Sequence, residues 1–389
     1  MSLNLDKSRW TRVKFGEVVF NVNSTVKDAE AAGIDRVIAM EHLDPGELRV
    51  QRWGNVADGT TFTRRVKPGQ TLFGKRRAYQ RKVAYAEFDA ICSGDILTFQ
   101  ANEAQILPEF LPFLVQSDGF FAHALGTSAG SLSPRTNWTD LSDFEFELPP
   151  LAEQKRLAEL LWTMEVHQET VVEENRALTI LRSKQLNQVL SAKTIEISPL
   201  ETLVKPDTSI TYGIVQAGPE IEDGVPYIRV SDMTDGDLSI KGMKKTAPEI
   251  AARFKRSRVD SGDLVVALRG RTGLTLKVPE ELDGANLTQG TARVAIDNNK
   301  IDPDFVIEVM NSAWMASEVS RNAKGSTFTE LTLVALRNLP VPRLGNDKEH
   351  ELLQVLKAVS RAQEATSNSI EKLRVKKSAI LKNIFEGFQ

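Results

Sequence analysis

Cysteine is nearly absent from this chain of 389 residues, which has only Cys92. One cysteine excludes an intrachain disulfide framework and a cysteine-rich zinc site, and it is typical of a reducing compartment. No apolar run approaches the length of about 18 residues that a membrane span needs. The opening residues MSLNLDKSRW also lack the apolar stretch of a signal peptide. We therefore expect a cytoplasmic protein with no membrane association, in which Cys92 is a small buried residue.

Catalytic motifs are also lacking. The sequence has no GxxxxGK[ST] phosphate loop, no GxGxxG after a strand and no HExxH zinc motif. It has no Asn/Asp-Pro-Pro-aromatic tetrad of the amino-methyltransferases, and its four histidines lie far apart. Asp232, Asp235 and Asp237 lie in the turn-rich segment DMTDGDLS, where turn chemistry explains them better than a metal site. We therefore predict no catalytic residues, no metal site and no cofactor bound by this chain.

Two long stretches without helix breakers dominate what is present. From Leu151 to Ser198 there is neither proline nor glycine, and the strong helix formers Ala, Leu, Glu, Gln, Lys and Arg prevail. Apolar residues recur there with the spacing of a coiled-coil seam, at Leu157, Met164, Val171 and Leu178, with Leu160 and Leu181 offset by three. A helix of about 40 residues is roughly 60 Å long. It cannot bury such a seam alone and needs a partner helix.

The predicted partner is the second stretch, residues 346–386 of the same chain. A shift of 195 positions places Leu157, Leu178 and Leu186 on Leu352, Leu373 and Leu381, and the second seam continues at Val359 and Ile380. The same shift relates Phe110 to Phe305 and Leu141 to Leu336. A constant offset over such a span indicates an internal duplication.

The segments between the long helices combine strands and short helices. β-Branched segments alternate with Pro-Gly and Gly turns, which is typical of strands, and residues 107–124 look helical. The strand pattern of residues 66–77 returns at 259–270, and the small-residue loop 126–136 returns at 324–331. We predict an α+β chain with two similar α/β units and two long helices that pair as an antiparallel coiled coil. The predicted segments are 1–147, 148–195, 196–344 and 345–389.

Charge is distributed unevenly, although the net charge is only −3. Residues 59–86 carry eight cations and no acid, with Phe62, Phe73, Tyr79 and Tyr85 interleaved. A second basic group follows in the second unit. Basic faces on two similar units indicate a reader of duplex DNA, because Lys and Arg neutralise phosphates and Arg also reads guanine. The predicted DNA-binding residues are Arg64, Arg65, Lys67, Lys75, Arg76, Arg77, Tyr79, Arg81, Lys82, Lys244, Lys245, Lys255, Arg256, Arg258, Arg269 and Arg271.

The pattern resembles the specificity (S) subunits of type I restriction-modification systems. The resemblance rests on LFGKRRAYQRKVAYAEFDAICSGDIL at 72–97, LPPLAEQKRLAELL at 148–161, YGI with GVPYIRVSDM within 212–233, and SIEKLRVKKSAILKNIF at 369–385. It covers nearly the whole chain. The second helix departs from the pattern, because its PRLGNDKEHELL lacks the PPLxEQ opening.

The resemblance implies a function without catalysis. Each globular unit is then a target-recognition domain that reads one half of a split site in double-stranded DNA. The long helices are the spacer, and they dock two modification (methyltransferase) subunits, for which Pro149, Pro150, Glu153 and Gln154 are the candidate contacts. Restriction subunits, which are ATP-dependent translocases and nucleases, complete the assembly. S-adenosylmethionine, ATP and Mg are expected on those partners and not on this chain.

Two other classes remain open at this stage. The chain is a DNA methyltransferase or nuclease if its catalytic motifs are unrecognised, and binding of labelled S-adenosylmethionine by the purified chain would favour that reading. It is a coiled-coil scaffold if it binds only proteins. Failure to bind any duplex, even beside its partners, would favour the scaffold.

Overall fold

The computed structural model describes residues 5–190, 195–234, 236–322 and 330–386. These form two compact units: a first unit of residues 1–173 with 366–389, and a second unit of residues 174–365. Helices and small sheets occur in both units, which confirms the predicted α+β class. Among the described residues, no helix combines the length and the apolar character needed to cross a membrane.

The described part of the first unit contains ten strands, four short helices and parts of the two long helices. The strands are β1 (Thr11–Lys14), β2 (Val19–Asn21), β3 (Arg36–Ile38), β4 (Gly54–Asn55), β5 (Arg64–Val66), β6 (Thr71–Gly74), β7 (Val83–Tyr85), β8 (Ala90–Cys92), β9 (Ile96–Ala101) and β10 (Glu145–Leu148). The helices are α1 (Phe15–Val18), α2 (Leu111–Gln116), α3 (Asp118–Gly126), α4 (Trp138–Ser142) and the long α5 (Leu151–Leu190).

Three small sheets organise the first unit. One has the order β2-β9-β6-β7 and is antiparallel throughout, and another has the order β4-β3-β8-β5 with β3 parallel to β8. Strand β1 pairs with β10, which leads into α5. Aromatic rings fill the core, where Phe15, Phe73, Phe99 and Phe120 lie with their centroids 5.0 to 6.0 Å apart. Cys92 is fully buried, as predicted.

The second unit repeats this arrangement. Its strands are β11 (Glu196–Pro199), β12 (Thr211–Tyr212), β13 (Val225–Ile228), β14 (Lys245–Thr246), β15 (Leu264–Ala267), β16 (Thr275–Lys277), β17 (Asn286–Leu287), β18 (Thr291–Val294) and β19 (Pro340–Arg343). Its helices are α6 (Pro248–Arg253), α7 (Pro303–Met310), α8 (Ala313–Asn322), α9 (Leu333–Arg337) and the long α10 (Asn346–Phe385). The sheets have the orders β12-β18-β15-β16, β14-β13-β17 and β11-β19.

The structure confirms the internal duplication. Helices α4 and α9, strands β10 and β19, and helices α5 and α10 each begin and end 195 positions apart. The pairing of Val19 with Ala101 at one edge of the first unit's main sheet returns as the bridge between Val204 and Ile296. The repeated loop that the sequence places at 324–331 lies mostly outside the described residues.

The predicted helix over residues 107–124 is two helices in the structure. Ser117 is extended between α2 and α3, and its hydroxyl accepts a hydrogen bond from the Phe120 amide at 3.3 Å, which caps α3. In the second unit the Ser312 hydroxyl accepts from the Met315 amide at 3.1 Å. The apolar pattern of the sequence does not reveal such a break between two helices, because a single capping serine is enough to produce it.

The seam of the long helices is partly shifted from the predicted one. Leu157 and Val171 are buried as predicted, but Leu160 and Leu181 are exposed, and that part of the prediction is wrong. Leu161 occupies the buried position instead. Two adjacent leucines make the heptad register ambiguous in the sequence, and packing selects the second of them.

Within each unit the long helices pair in antiparallel fashion. In the first unit, Leu157 and Leu161 share a core with Leu381 and Ile384. In the second unit, Leu186 and Leu190 share a core with Leu352, Leu353 and Leu356. Residues near the start of α5 thus pack against the end of α10, and residues near the end of α5 pack against the start of α10. This is the arrangement of the predicted antiparallel coiled coil.

Each long helix is also fastened to the globular part of its unit at matching positions. The Trp162 indole N–H donates to the Glu109 carbonyl oxygen at 2.9 Å, and the Trp162 ring lies edge-on to Tyr85 at 5.4 Å. At the corresponding place in the second unit, Lys357 Nζ donates to Asp304 Oδ2 at 2.7 Å. The two contacts use different chemistry, but each joins the same two positions of the repeat.

Candidate nucleic-acid interface

The loop after β6 carries two exposed residues of the predicted DNA-binding set, Arg77 and Tyr79. Arg77 and Arg81, on either side of a single 3-10 turn, both have left-handed backbones with φ of 54°. The Arg77 amide donates to the Pro134 carbonyl oxygen at 2.8 Å, which fastens this loop to the loop before α4. The Arg77 side chain is exposed, and Tyr79 is 55% exposed. The arrangement directs a guanidinium and a phenol ring toward solvent from a fixed backbone.

Arg81 and Lys82, by contrast, are tied to the rest of the unit by their contacts, although the Arg81 side chain is 42% exposed. The Arg81 guanidinium lies 2.5 Å from Asp118 Oδ1, donates to the Gln116 carbonyl oxygen at 3.1 Å and lies over the Phe121 ring at 4.6 Å. Lys82 Nζ donates to the Met40 carbonyl oxygen at 2.6 Å. These contacts give both side chains a role in holding the fold together.

Around strand β5 and the end of β6, some predicted cations likewise make contacts within the unit and another is exposed. Arg65 Nε donates to Asp89 at 3.1 Å, and this hydrogen bond raises the pKa of the guanidinium. Arg64 donates to the Ile96 carbonyl oxygen. Burial lowers the pKa of Lys75, and the nearby positive charge of Arg64 lowers it further. Lys67 is exposed.

Of the interleaved aromatic residues, Phe73 is fully buried in the core and is not part of the basic surface.

Arg76 belongs to a cluster that includes one cation the sequence analysis missed. Asp95 Oδ2 lies 3.6 Å from Arg76 Nη1, and Asp95 Oδ1 accepts from Arg135 Nε at 3.1 Å. Arg76 Nε also donates to Ser133 Oγ at 2.6 Å. Leu132, beside this serine, is 92% exposed. The clue to Arg135 was its position in the small-residue loop 126–136, which the sequence identified only as a repeated loop.

In the second unit, Arg269 and Arg271 follow strand β15 as Arg76 follows β6. Arg269 donates to Glu330 Oε1 from Nε at 3.0 Å and from Nη2 at 2.8 Å. Arg271 Nη1 donates to the Met233 carbonyl oxygen at 3.2 Å. Both arginines have exposed side chains, so this loop presents guanidinium groups at the place where the first unit presents Arg76 and Arg77.

The other predicted cations of the second unit fall into two groups. Lys244 and Lys245 lie at strand β14, where Lys245 Nζ donates to the Glu222 carbonyl oxygen at 2.6 Å. The matching strand β4 of the first unit, Gly54–Asn55, has no cation, so these lysines have no counterpart in that strand. Arg258 does match, because it precedes its strand by six residues, as Arg65 does. Lys255 and Arg256 are exposed.

The four candidate docking residues at the start of α5 differ in accessibility. Gln154 is fully buried: its amide donates to the Gln105 and Pro149 carbonyl oxygens, each at 2.8 Å, and accepts from the Leu107 amide at 2.9 Å. Pro149 is buried and Pro150 is half-buried. Glu153 lies 3.2 Å from Arg156. The geometry gives Gln154 the role of locking the helix start, and the docking role of this group stays a prediction.

The acidic turn of the second unit is engaged in structural contacts. Asp232 is buried and bonds both the backbone amide and the guanidinium of Arg229, at 2.6 to 3.0 Å. Asp235 lies outside the described residues. Across the described part of the chain, no group of His, Cys, Asp and Glu has the geometry to hold a metal ion.

Comparison with known proteins identifies related sequences. The sequence model of the type I restriction-modification DNA specificity domain matches residues 54–174. The chain is 26% identical over 308 residues to the type I restriction enzyme EcoBI specificity subunit of Escherichia coli, which covers 69% of this chain and 65% of that protein. It is 21% identical over 276 residues to the MjaVIII specificity subunit of Methanocaldococcus jannaschii, which covers 66% and 65%. The chain thus spans slightly less than two thirds of these relatives.

Solved structures share the fold over nearly the whole chain. A chain from work on complex assembly and conformational transition of the type I R-M system has a TM-score of 0.60 at 17% identity, and covers 96% of this chain and 97% of its own. The S subunit of a type I restriction-modification system from M. genitalium has a TM-score of 0.60 at 13% identity, with 98% of each chain covered. The chain is thus similar in sequence to specificity subunits of type I restriction-modification systems, most clearly over residues 54–174, and it shares its fold with solved structures from such systems.

Proposed function

We propose that this chain is the DNA-reading specificity subunit of a type I restriction-modification complex, and that it is not itself catalytic. The observation that carries the proposal is the repetition of one basic loop. Each unit presents arginines just after the third strand in the order of its main sheet, β6 or β15. These are half-exposed Arg76 and exposed Arg77 in one unit, and exposed Arg269 and Arg271 in the other. Two similar surfaces on one chain suit a ligand with two similar halves, such as duplex DNA.

The proposal assigns different work to different cations. Arg77, Lys67, Lys255, Arg256 and Arg258 are exposed, so they are suited to neutralise phosphates. Arg65, Arg81 and Lys82 hold the loops in place through their contacts with Asp89, Asp118 and Met40.

The proposed partners follow from the family. Two modification subunits supply S-adenosylmethionine and the methyl transfer, and restriction subunits supply ATP-driven translocation and cleavage with Mg. We propose the start of α5, with exposed Leu151 beside Glu153, as part of the modification-subunit contact. The cytoplasm is the proposed compartment.

The experiment is to map methylated positions genome-wide in cells that express the modification subunits with and without this chain. A split motif that appears only with the chain is the expected result. Methylation that does not depend on the chain would contradict the proposal. Binding of labelled S-adenosylmethionine by the purified chain alone would instead favour an enzyme.

A further inference from the structure

The two units hold their basic loops on the same backbone frame. In the first unit, Arg76 and Arg135 face each other in an antiparallel bridge, and the Thr136 amide donates to the Lys75 carbonyl oxygen at 3.1 Å. The Lys75 amide in turn donates to the Asp95 carbonyl oxygen at 3.0 Å. Three segments that are distant in sequence therefore meet at Arg76.

The second unit has the same three contacts. Arg269 and Glu330 form the antiparallel bridge, the Leu331 amide donates to the Leu268 carbonyl oxygen at 2.9 Å, and the Leu268 amide donates to the Gly290 carbonyl oxygen at 2.8 Å. Arg76 and Arg269 each lie two residues after their strand, and Arg135 and Glu330 each lie three residues before a short helix. Position by position, Arg76 matches Arg269, Asp95 matches Gly290 and Arg135 matches Glu330.

The two units differ in the position of the acidic residue on this shared backbone frame. The first unit has two arginines with Asp95 between them, whereas the second has one arginine and takes its acid from Glu330, with glycine at the position of Asp95. The first cluster therefore carries one net positive charge and the second carries none. The two clusters therefore present different hydrogen-bonding groups to a ligand, because an arginine side chain only donates and a carboxylate only accepts.

Both clusters are accessible to a ligand. The side chains of Arg76 and Arg135 are 43% and 47% exposed, and those of Arg269 and Glu330 are 50% and 46% exposed. Asp95 is 22% exposed and lies beneath its two arginines. The ion pairs orient these groups, while the backbone bonds that hold the loops do not depend on the side chains.

We propose that the residues at these bridges determine specificity, so that the two half-sites are read with different chemistry. Arg76 and Arg135 donate to the N7 and O6 acceptors of guanine in the half-site of the first unit. Arg269 and Glu330 read a G·C pair in the other half-site, with the arginine on guanine and the carboxylate accepting from the cytosine amino group. This inference rests on the proposed function and adds the base-reading residues to it.

The experiment changes the partner that faces the arginine at each bridge. Arg135→Glu places a glutamate opposite Arg76 while Asp95 remains, and Glu330→Arg places a second arginine opposite Arg269 with no acid between them. Each variant is assembled with the modification subunits, and methylation rates are measured on duplexes that carry all four base pairs at each position of each half-site. Lys27→Glu and Glu281→Arg make the same charge changes at exposed positions away from the loops and serve as matched controls.

The expected result is a change of preference at one base pair, confined to the half-site of the altered unit, by roughly tenfold to a hundredfold. The control variants should retain the wild-type preference in both half-sites. Arg135→Glu and Glu330→Arg with unchanged preferences would overturn the inference, and so would equal changes in both half-sites.

Milder variants keep the test decisive if a charge reversal prevents folding, as judged by thermal unfolding. Arg135→Lys removes the planar fork but keeps the charge, and Glu330→Gln removes the charge but keeps the shape. Each should weaken discrimination at the same single base pair, and unchanged discrimination in both would overturn the inference. A wild-type chain that directs no motif at all would instead contradict the proposed function itself.

Discussion

Lys377 Nζ contacts the Glu165 carboxylate between the two long helices of the first unit, and the two side chains are only 11% and 1% exposed. Apolar residues flank the pair, including Leu161 and Leu381. Burial raises the pKa of Glu165, and the positive charge of Lys377 opposes that rise. The coiled-coil seam of this unit therefore has a charged pair where its pattern calls for leucine.

Loss of one partner from this pair should be costly. Lys377→Met leaves Glu165 buried without its cation, and we expect the free energy of unfolding to fall by about 3 to 5 kcal/mol. The double variant Glu165→Leu with Lys377→Met should regain most of that loss, since packed apolar residues replace such pairs well. Urea unfolding of the wild type, the two single variants Glu165→Leu and Lys377→Met, and the double variant measures the coupling energy between the two side chains. Lys376→Met, at the exposed neighbouring position, is the control, and additive effects in the double variant would contradict the pairing.

The raised pKa of Glu165 predicts a pH dependence of stability. The folded protein holds this proton more tightly than the unfolded chain does, whose carboxyl has the ordinary pKa of 4.5. The contribution of Glu165 to the free energy of unfolding is therefore greatest below that pH. It decreases as the pH rises to the raised folded value, and it is constant above.

Glu165→Gln should remove this slope. The melting temperature of the wild type relative to Glu165→Gln should decline as the pH is raised from the ordinary carboxyl pKa, whatever the absolute difference between them. Glu159→Gln, at an exposed position on the same helix, should track the wild type. A constant difference between wild type and Glu165→Gln across the acidic range would show that Glu165 titrates normally.

Arg77 and Arg81 form a matched pair for testing DNA contact, because both have a φ of 54° and asparagine tolerates that conformation. Arg77→Asn removes an exposed cation, so the slope of log affinity against log salt should fall by about 1 while the melting temperature is unchanged. Arg81→Asn removes the contacts with Asp118 and Phe121 and should mainly lower the melting temperature. Binding to a duplex at several salt concentrations separates the two, and identical salt slopes for both would refute the assignment.

Glu153 and Gln154 are neighbours with opposite expected effects. Gln154→Ala removes the buried acceptor of the partly buried Leu107 amide, and we expect a loss of about 1 to 3 kcal/mol of stability. Glu153→Ala loses only a partly exposed pair with Arg156, worth less than about 1 kcal/mol. Its expected effect is weaker co-purification with the modification subunits. Undiminished co-purification of Glu153→Ala would remove that residue from the proposed contact.

The fold was largely predictable because the chain contains an internal duplication. The offset of 195 positions, noticed at Phe110 and Phe305, also relates the bounds of the long helices, and the antiparallel pairing followed from two seams in one chain. The exact seam was not predictable, because Leu160 and Leu161 fit the heptad equally well. Nor was the break at Ser117, which one hydrogen bond from Phe120 creates.

The candidate site was less predictable, since sequence shows where cations are but not which acids approach them. Residues 59–86 have no acid of their own, yet Asp89, Asp95 and Asp118 come from later segments to meet Arg65, Arg76 and Arg81. Strand pairing and helix packing bring these groups together over distances that no local pattern encodes. Which arginines remain available to a ligand is therefore a property of the fold.

The bridges at Arg76 and Arg269 have a consequence for how such a chain changes over time. The backbone bonds of these bridges use peptide groups, which every residue except proline supplies in full, so a change of side chain at 76, 135, 269 or 330 does not remove those bonds. Under the base-reading role proposed for these positions, a substitution in one unit changes the preference of that unit while the same backbone bonds still hold its loop, and the other unit is left unaltered.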